Sequence, residues 1–303
     1  MNNITIHDVG FRDGLQMERQ TVPTGQKLEW IRRLMLSGVD IIQVGSFVHP
    51  KKVPQMADTD RLFAELTAGE RPGNVTLSGL VLNEKGLERG LACGVGMFCM
   101  GVSASETHSM KNTGMSVTEA TGRIIATARQ AEAAGATVQV SVQSAFGCGF
   151  EGRVPPERVM DIVRRYLEAG LRSISLADTA GHAMPDQVER MFTDVAALDG
   201  SAGLACHFHN TYGLGLANTY AAMKAGVTSF ESSVAGLGGC PFTKIAGGNV
   251  CTEDFVHMLH HMGQRRDVKL EHLIALAEEI SRFFGREMPG TVYKVGGFAN
   301  AGA

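Results

Sequence analysis

The feature that most constrains this chain is a regular alternation of short strand-like runs with longer helical segments. Runs rich in β-branched and other apolar residues begin near positions 4, 41, 75, 95, 137, 172, 203 and 229. Apolar residues at helical spacing follow these runs, as in segment 25–38 with Leu28, Ile31 and Leu34. Eight such units at a spacing of about 30 residues match a (β/α)₈ barrel. The sequence therefore predicts an α/β protein with a TIM-barrel fold.

Other fold classes fit the sequence less well. The doubly wound fold that binds dinucleotides needs a G-x-G-x-x-G turn, and segments 94–99 and 236–241 both lack its final glycine. The clearest helix covers 116–135, where Ser116 and Glu119 form a capping-box pattern. No composition shift divides the barrel. We therefore expect a barrel domain over residues 1–265 and a C-terminal helical extension with a glycine-rich tail over 266–303.

Composition argues against several kinds of partner. The formal net charge is −3 and no block of Lys or Arg stands out, which argues against nucleic acid or an anionic membrane. No apolar run reaches the roughly 18 residues that a membrane span needs, and the N-terminus lacks a signal-peptide pattern. None of the six cysteines forms a C-x-x-C pair. We expect a cytoplasmic protein with free thiols that acts on a small molecule.

Polar side chains collect at the predicted carboxyl ends of the strands, where the active sites of TIM barrels lie. Asp13 follows the first strand and Asn249 follows the eighth. His207 and His209 lie at the end of the seventh, and because one residue separates them, both rings point to one face. An isolated H-x-H pair is often only hydrogen-bonded. Two imidazoles with a carboxylate and an amide oxygen suit Mn²⁺ or Mg²⁺, so the sequence predicts a divalent-metal site.

These residues also carry a resemblance. The pattern Asp8-x-x-x-Arg12-Asp13-Gly14-x-Gln16 with His207-x-His209 resembles the signature of the DRE-TIM metallolyases. Within that group the chain is most similar to the 3-hydroxy-3-methylglutaryl-CoA lyase family. The matching runs span nearly the whole barrel in order: RDGLQMERQ, SFVHPKKVPQMAD, SASE, FGCGFEG, SLADTAG, HFHNTYGLGLANT, SSVAGLGGCPF and GNVCTED.

The resemblance implies a divalent-metal-dependent carbon–carbon lyase. Its reaction would cleave a 3-hydroxyacyl-CoA, such as hydroxymethylglutaryl-CoA, to acetyl-CoA and a 3-oxo acid. The implied assembly is a homodimer. The implied metal ligands are Asp13, His207, His209 and Asn249.

The resemblance also implies roles for residues around the metal. Arg12 would steady the enolate oxygen, and Asp178 would lie near the substrate hydroxyl. Cys240 would act as an acid/base on a loop whose glycines let it close over substrate. The other cysteines Cys93, Cys99 and Cys206 lack such a context and are predicted to be packing residues. Substrate contacts are expected from Asp8, Gln16, Gln43 and Asn210.

Four positions depart from the family pattern. Gln43 stands in place of a Glu, Gln139 in place of an Arg, and Asn210 in place of an Asp. Asp8 replaces a Glu, although Asp is common across the wider group. All four ligand positions match, so metal binding is expected. The lost carboxylates alter the charge at the mouth, so the acyl part of the substrate stays open.

Two other functions remain possible from the sequence. A condensing enzyme of the isopropylmalate or citramalate synthase type shares the Arg-Asp-Gly turn and H-x-H. Such enzymes generally carry a further C-terminal domain, for which few residues remain here, and lack the GLGGCP loop. A non-catalytic barrel that only binds acyl-CoA or metal is the second alternative. A Schiff-base aldolase is disfavoured because all nine lysines fall outside the predicted strands.

Overall fold

The computed structural model describes residues 4–68, 74–238 and 248–297, which form a closed barrel of eight parallel strands. Each strand pairs with the next, and β8 closes the barrel against β1 in the register Thr5↔Ser229 to Asp8↔Ser232. The predicted TIM barrel is therefore confirmed. The strands are β1 Thr5–Asp8, β2 Ile41–Ser46, β3 Thr76–Leu80, β4 Met97–Ser103, β5 Thr137–Gln143, β6 Ser173–Asp178, β7 Gly203–Phe208 and β8 Ser229–Ser232.

Helices cover the outside of the barrel. The predicted capping box opens α5, where the Ser116 hydroxyl accepts from the Glu119 backbone N–H and the Glu119 side chain accepts from Ser116. Two short helices, α4 and α11, were not expected from the sequence. The helices are α1 Thr24–Met35, α2 Thr59–Thr67, α3 Glu84–Ala92, α4 Glu106–Thr113, α5 Val117–Ala133, α6 Pro156–Glu168, α7 Pro185–Leu198, α8 Gly215–Lys224, α9 Thr252–His261, α10 Leu270–Phe284 and α11 Val292–Val295.

Helix α10 of the C-terminal extension packs on α1. Trp30 is fully buried, its ring meets Phe283 edge-on at 5.1 Å, and its Nε1 donates to Glu279 at 2.7 Å. The buried face of α10 belongs to the same apolar core as the barrel helices. The boundary near residue 265 stays a prediction, because the extension and the barrel share this core. In the described ranges no helix is both long and apolar enough to cross a membrane.

Candidate active site

The turn that follows β1 carries the first two site residues. Residues 10–14 form one turn of π-helix, in which the Val9 carbonyl accepts from the backbone N–H groups of Asp13 at 2.8 Å and of Gly14 at 3.4 Å, the second being the wide π-type bond. Such wide turns occur frequently at functional sites. The turn starts at the carboxyl end of β1, so Arg12 and Asp13 reach the barrel mouth. The sequence predicted their location but not this conformation.

A second pair of segments brings the remaining candidate ligands together. β7 ends one residue before His209, and segment 208–210 pairs with segment 248–250 through backbone bonds of 2.8 and 3.1 Å. This pairing places Asn249 opposite His209 as an antiparallel bridge. Gly238, at φ +122°, lies so close that a Cβ there would be 2.6 Å from Nδ2 of Asn249. A glycine is therefore required beside the amide.

The donor atoms of Asp13, His207 and His209 converge. Nε2 of His207 and Nε2 of His209 are 3.1 Å apart, and Oδ2 of Asp13 lies 3.9 Å from the first and 3.8 Å from the second. All three residues are buried. Two ligands about 2.1 Å from one ion, at right angles, are about 3 Å apart, so this spacing fits a divalent cation after small adjustments.

Asn249 completes the candidate site. Its Nδ2 donates to Oδ2 of Asp13 at 2.9 Å and to the Leu237 carbonyl at 3.0 Å. Its Oδ1 is buried and has no hydrogen-bond partner among the described residues. A buried amide oxygen without a partner needs an explanation, and a cation would supply one. The two imidazoles, the carboxylate and this amide therefore suit Mg²⁺ or Mn²⁺, as the sequence indicated.

Electrostatics prepare these groups differently. Burial would raise the pKa of Asp13, but Arg12 and the imidazoles outweigh it and hold that pKa well below its usual range. Burial lowers the pKa of His209 to about 4. Burial also disfavours the charged form of His207, but Glu231 outweighs this effect and raises the pKa. An ionised carboxylate and a neutral His209 are the forms that bind metal.

Arg12 is held beside this cluster. Its Nη1 donates to Oδ1 of Asp13 and its Nε donates to Oε1 of Gln43. Nε2 of Gln16 donates to Oδ1 of Asp13 at 3.3 Å. All four side chains line one cavity of about 300 Å³. The predicted catalytic arginine and two of the predicted substrate-binding residues therefore meet at the candidate ligands.

The cavity has two chemically different walls. One comes from the loops after β1 and β2 and the end of β3, and its side chains are apolar and half-buried: Met17, Val48, Val53, Leu80 and Leu82. The other comes from β5 and β6 and is neutral and polar: Gln139, Ser141, Gln143, Ser175 and Thr179. Cys99, predicted to be a packing residue, is buried and also lines the cavity. Burial raises the pKa of this thiol to about 12, which keeps it protonated.

Four of the described predicted site residues are not part of the lining of this cavity: Asn249, which reaches the site through Asp13, and Asp8, Asp178 and Asn210. Oδ1 of Asp8 accepts from Gly10 N at 2.9 Å, and its Oδ2 accepts from Val234 N at 2.8 Å and Thr252 Oγ1 at 2.6 Å. These bonds tie the end of β1 to the start of α9. These contacts favour a structural role for Asp8, which positions the turn, instead of the predicted role in binding substrate.

Asp178 and Asn210 likewise turn toward the backbone. The Asp178 carboxylate accepts from the backbone N–H groups of His182 at 2.8 Å and Ala183 at 3.0 Å, and burial raises its pKa to about 6. Oδ1 of Asn210 accepts from Gly215 N at 2.9 Å, next to the start of α8. Strand order could not show these orientations, because they depend on where the following loop returns. Cys240 lies in segment 239–247, outside the described residues.

One residue of the site was missed altogether. Glu231 points into the barrel from β8, and its Oε2 lies 3.0 Å from Nδ1 of His207. Its Oε1 accepts from Gln139 Nε2 at 2.6 Å and Ser175 Oγ at 3.0 Å. The sequence does contain a signal for Glu231: it is an acidic residue within a barrel strand, and its two neighbours in the chain point to the opposite face of the sheet. Such a charge is stable inside a barrel only with a partner.

Comparison with known proteins follows the same direction. Residues 3–280 match a family model described as HMGL-like. The hydroxymethylglutaryl-CoA lyase YngG of Bacillus subtilis is 38% identical over 286 residues, which cover 94% of this chain and 95% of that protein. An (R)-citramalyl-CoA lyase of Chloroflexus aurantiacus is 35% identical over 305 residues, covering 98% and 96%.

A solved structure extends the likeness to three dimensions. An HMG-CoA lyase from A. baumannii, in complex with coenzyme A and 3-methylmalate, superimposes with a TM-score of 0.91 at 34% identity. The superposition covers 100% of this chain and 98% of that one. Sequence and fold therefore agree over almost the full length.

Proposed function

The chain belongs to the HMGL-like family of carbon–carbon lyases, and from that membership we propose that it cleaves hydroxymethylglutaryl-CoA or a close analogue to acetyl-CoA and an oxo acid. The reaction would depend on Mg²⁺ or Mn²⁺ held by Asp13, His207, His209 and Asn249. The observation that carries this proposal is the convergence of Asp13, His207 and His209, whose ligand atoms all lie within 4.8 Å of one another.

We assign to Arg12 the stabilisation of the developing enolate. A bound divalent cation would act as a Lewis acid that lowers the pKa of the substrate hydroxyl. The Arg12 guanidinium lines the same cavity and is fixed by Asp13 and Gln43. A fixed cationic donor facing the thioester oxygen stabilises charge as it appears there. One such donor is typically worth about 3 kcal/mol in the transition state.

The proton movements define two further roles. When the C2–C3 bond breaks, its electron pair passes to the acetyl thioester as an enolate and C3 becomes a carbonyl. We assign the hydroxyl proton to Asp178 on the strength of the family resemblance. Its carboxylate accepts from two backbone N–H groups here, so this role requires the side chain to turn into the cavity when substrate binds. We assign protonation of the enolate carbon to Cys240, on the strength of the family resemblance.

The acyl group is open to two substrate types. Hydroxymethylglutaryl-CoA would yield a 3-oxo acid, whereas citramalyl-CoA, the substrate named for one relative, would yield a 2-oxo acid. Both leave acetyl-CoA after the same bond cleavage. The neutral Gln43 and Gln139 in the cavity are the positions at which this chain departs from the expected pattern.

The test is a turnover assay with metal-stripped protein, restored with Mg²⁺ or Mn²⁺. Acetyl-CoA release is followed with both thioesters, and the oxo acid is identified in each reaction. We expect metal-dependent release that is lost in Cys240→Ala, while Cys251→Ala, which removes a buried thiol at the start of α9, retains it. Release only from citramalyl-CoA would change the substrate that we assign and leave the assigned type of reaction unchanged. Metal binding without turnover of either thioester would contradict the lyase and favour a condensing or binding-only barrel.

We also propose that the protein works in the cytoplasm as a homodimer. The resemblance supports the dimer. The described cysteines are free thiols, which suits a reducing compartment. Light scattering on the purified chain tests the dimer directly, and a mass near the 32.4 kDa of one chain would contradict it.

A further inference from the structure

Glu231 joins four strands through one carboxylate. Oε2 of Glu231 on β8 lies 3.0 Å from Nδ1 of His207 on β7. Oε1 of Glu231 accepts hydrogen bonds from Nε2 of Gln139 on β5 at 2.6 Å and from Oγ of Ser175 on β6 at 3.0 Å. Only 8% of the Glu231 side chain is exposed. The hydrogen-bond partners of this carboxylate are thus one imidazole and two neutral donors.

We propose that Glu231 is the positioning residue for His207, and that Gln139 and Ser175 hold Glu231 in place for that role. The inference rests on the proposed metal-dependent function. A carboxylate on Nδ1 accepts the proton there, which in the neutral ring leaves Nε2 of His207 unprotonated. That nitrogen is the one that faces His209 and Asp13. The carboxylate therefore selects both the tautomer and the ring orientation that a cation requires.

The neutrality of Gln139 is part of this arrangement. The Gln139 amide donates a hydrogen bond to Oε1 of Glu231 but carries no charge. The negative charge of Glu231 is therefore not neutralised by Gln139 and interacts with His207. A guanidinium at 139, the group that the family pattern would place there, would form a charge-assisted pair with Glu231 and compete with the imidazole. Gln139 thus directs the carboxylate toward the candidate metal ligand.

Gln43 departs from the family pattern with the opposite change in charge. It replaces an expected carboxylate and accepts from Nε of Arg12. One negative charge is therefore missing at Gln43 and one positive charge at Gln139, and both positions line the same cavity. The two departures cancel in net charge. They leave Arg12 paired with Asp13 and Glu231 paired with His207.

The first experiment measures Mn²⁺ affinity of the full chain by the electron paramagnetic resonance signal of free Mn²⁺. Removing an outer partner of a metal-binding imidazole typically weakens metal affinity 10- to 100-fold. We expect Glu231→Gln to raise the Kd for Mn²⁺ within that range. The matched control is Glu253→Gln, a fully buried carboxylate with no hydrogen bond to the cluster, and it should stay within about twofold of wild type. A Glu231→Gln Kd within twofold of wild type overturns the proposal.

A second pair of variants tests the neutrality of Gln139. Gln139→Arg should weaken Mn²⁺ binding more than Gln143→Arg does. The Gln143→Arg substitution introduces the same charge into the same cavity from the same strand, and Gln143 has no hydrogen bond to Glu231. Equal effects of the two substitutions would show that Gln139 acts only through the total charge, against the proposal.

The tautomer itself can be read without any substitution at Glu231. Long-range ¹⁵N NMR of the metal-free wild type at alkaline pH should give His207 as neutral with its proton on Nδ1. A proton on Nε2 would overturn the proposal even if Glu231→Gln fails to fold. Wild type that binds no Mn²⁺ would contradict the metal-dependent function instead, and the NMR result would still decide the role of Glu231.

Discussion

The carboxylates that face the cavity differ from those that surround it. Asp13 and Glu231, the cavity carboxylates, are buried, and burial by itself would raise both pKa values. Arg12 outweighs that effect at Asp13 and holds its pKa well below the usual range. The hydrogen bond with His207 outweighs it at Glu231 and lowers its pKa to about 2. Both groups therefore carry a charge at neutral pH.

The surrounding group, the frame carboxylates, consists of Asp8, Asp178 and Glu253. Their partners are mainly backbone N–H groups of the turns at the mouth. Burial is the larger effect here and raises the pKa to about 6 for Asp8 and Asp178 and to about 8 for Glu253. A cation or an imidazole offsets the desolvation of a carboxylate, whereas neutral donors do so only in part. The charge that persists despite burial marks the cavity as the functional region.

The comparison is tested most severely at Asp13. Asp13→Asn removes the charged ligand and leaves the fold of the turn, so we expect acetyl-CoA release to fall about 1,000-fold, since a Lewis-acid contribution is several kcal/mol. Mn²⁺ titration should show a matching loss of affinity. Asp161→Asn, an exposed carboxylate paired only with Arg164, serves as control and should not change either value. Unaltered Mn²⁺ affinity in Asp13→Asn would remove Asp13 from the metal site.

Arg12→Lys separates charge from geometry within the cavity. Lysine keeps the positive charge but cannot donate to Asp13 and Gln43 from one planar group. We expect kcat to fall about 100-fold, because one oriented donor to the developing charge is lost. Mn²⁺ affinity should change little. Equal losses in Mn²⁺ binding and in kcat would mean that Arg12 supports the metal site and not the enolate.

Glu253→Gln tests the frame carboxylates through pH. The pKa of Glu253 is about 8 in the folded protein against 4.5 for the free side chain, because of burial and the nearby charges of Asp254 and Asp8. Between these values the unfolded chain releases a proton that the folded chain keeps, so rising pH favours unfolding. Glutamine removes this dependence while it can still accept from Ala235 N.

The expected result is a stability advantage for Glu253→Gln that is small at pH 5 and grows by roughly 4 kcal/mol toward pH 9. Denaturant unfolding of wild type and variant at both pH values measures it. The same denaturant series on Glu231→Gln should show no such gain at high pH, because the folded pKa of Glu231 is lowered. If the free energies of unfolding of Glu253→Gln and wild type differed by the same amount at pH 5 and pH 9, Glu253 would be ionised in the folded protein, as the cavity carboxylates are.

The smallest effect is expected from Thr252→Val. It removes the hydroxyl that donates to Oδ2 of Asp8 at 2.6 Å and keeps the side-chain shape. A hydrogen bond to a buried charged group contributes about 2 kcal/mol, so Tm should fall by roughly 5 °C. Thr219→Val, a buried threonine whose hydroxyl donates only to its own helix, should change Tm less. Mn²⁺ affinity should stay constant in both, and a loss in Thr252→Val would link the frame to the metal.

The fold was largely predictable from the chain. Strand-like runs at a spacing of about 30 residues are what a (β/α)₈ barrel requires, and local periodicity survives whatever the tertiary contacts are. The capping box of Ser116 and Glu119 was also readable, because both of its bonds lie within one turn. Helix α4 was missed since its residues, Glu106–Thr113, are mostly polar and show no apolar stripe.

The site divides along the same line. Sequence by itself determined that Asp13, His207 and His209 would share the carboxyl end of the barrel, because strand direction and alternate facing fix that much. Only the closed barrel decided that Glu231, far along the chain, would meet His207, and that Gln139 and Ser175 would hold it. It also decided that Asp8 and Asp178 turn away to backbone amides. The physical reason is that side-chain partners across a barrel depend on strand register and on the return of each loop, and neither is encoded within a short segment.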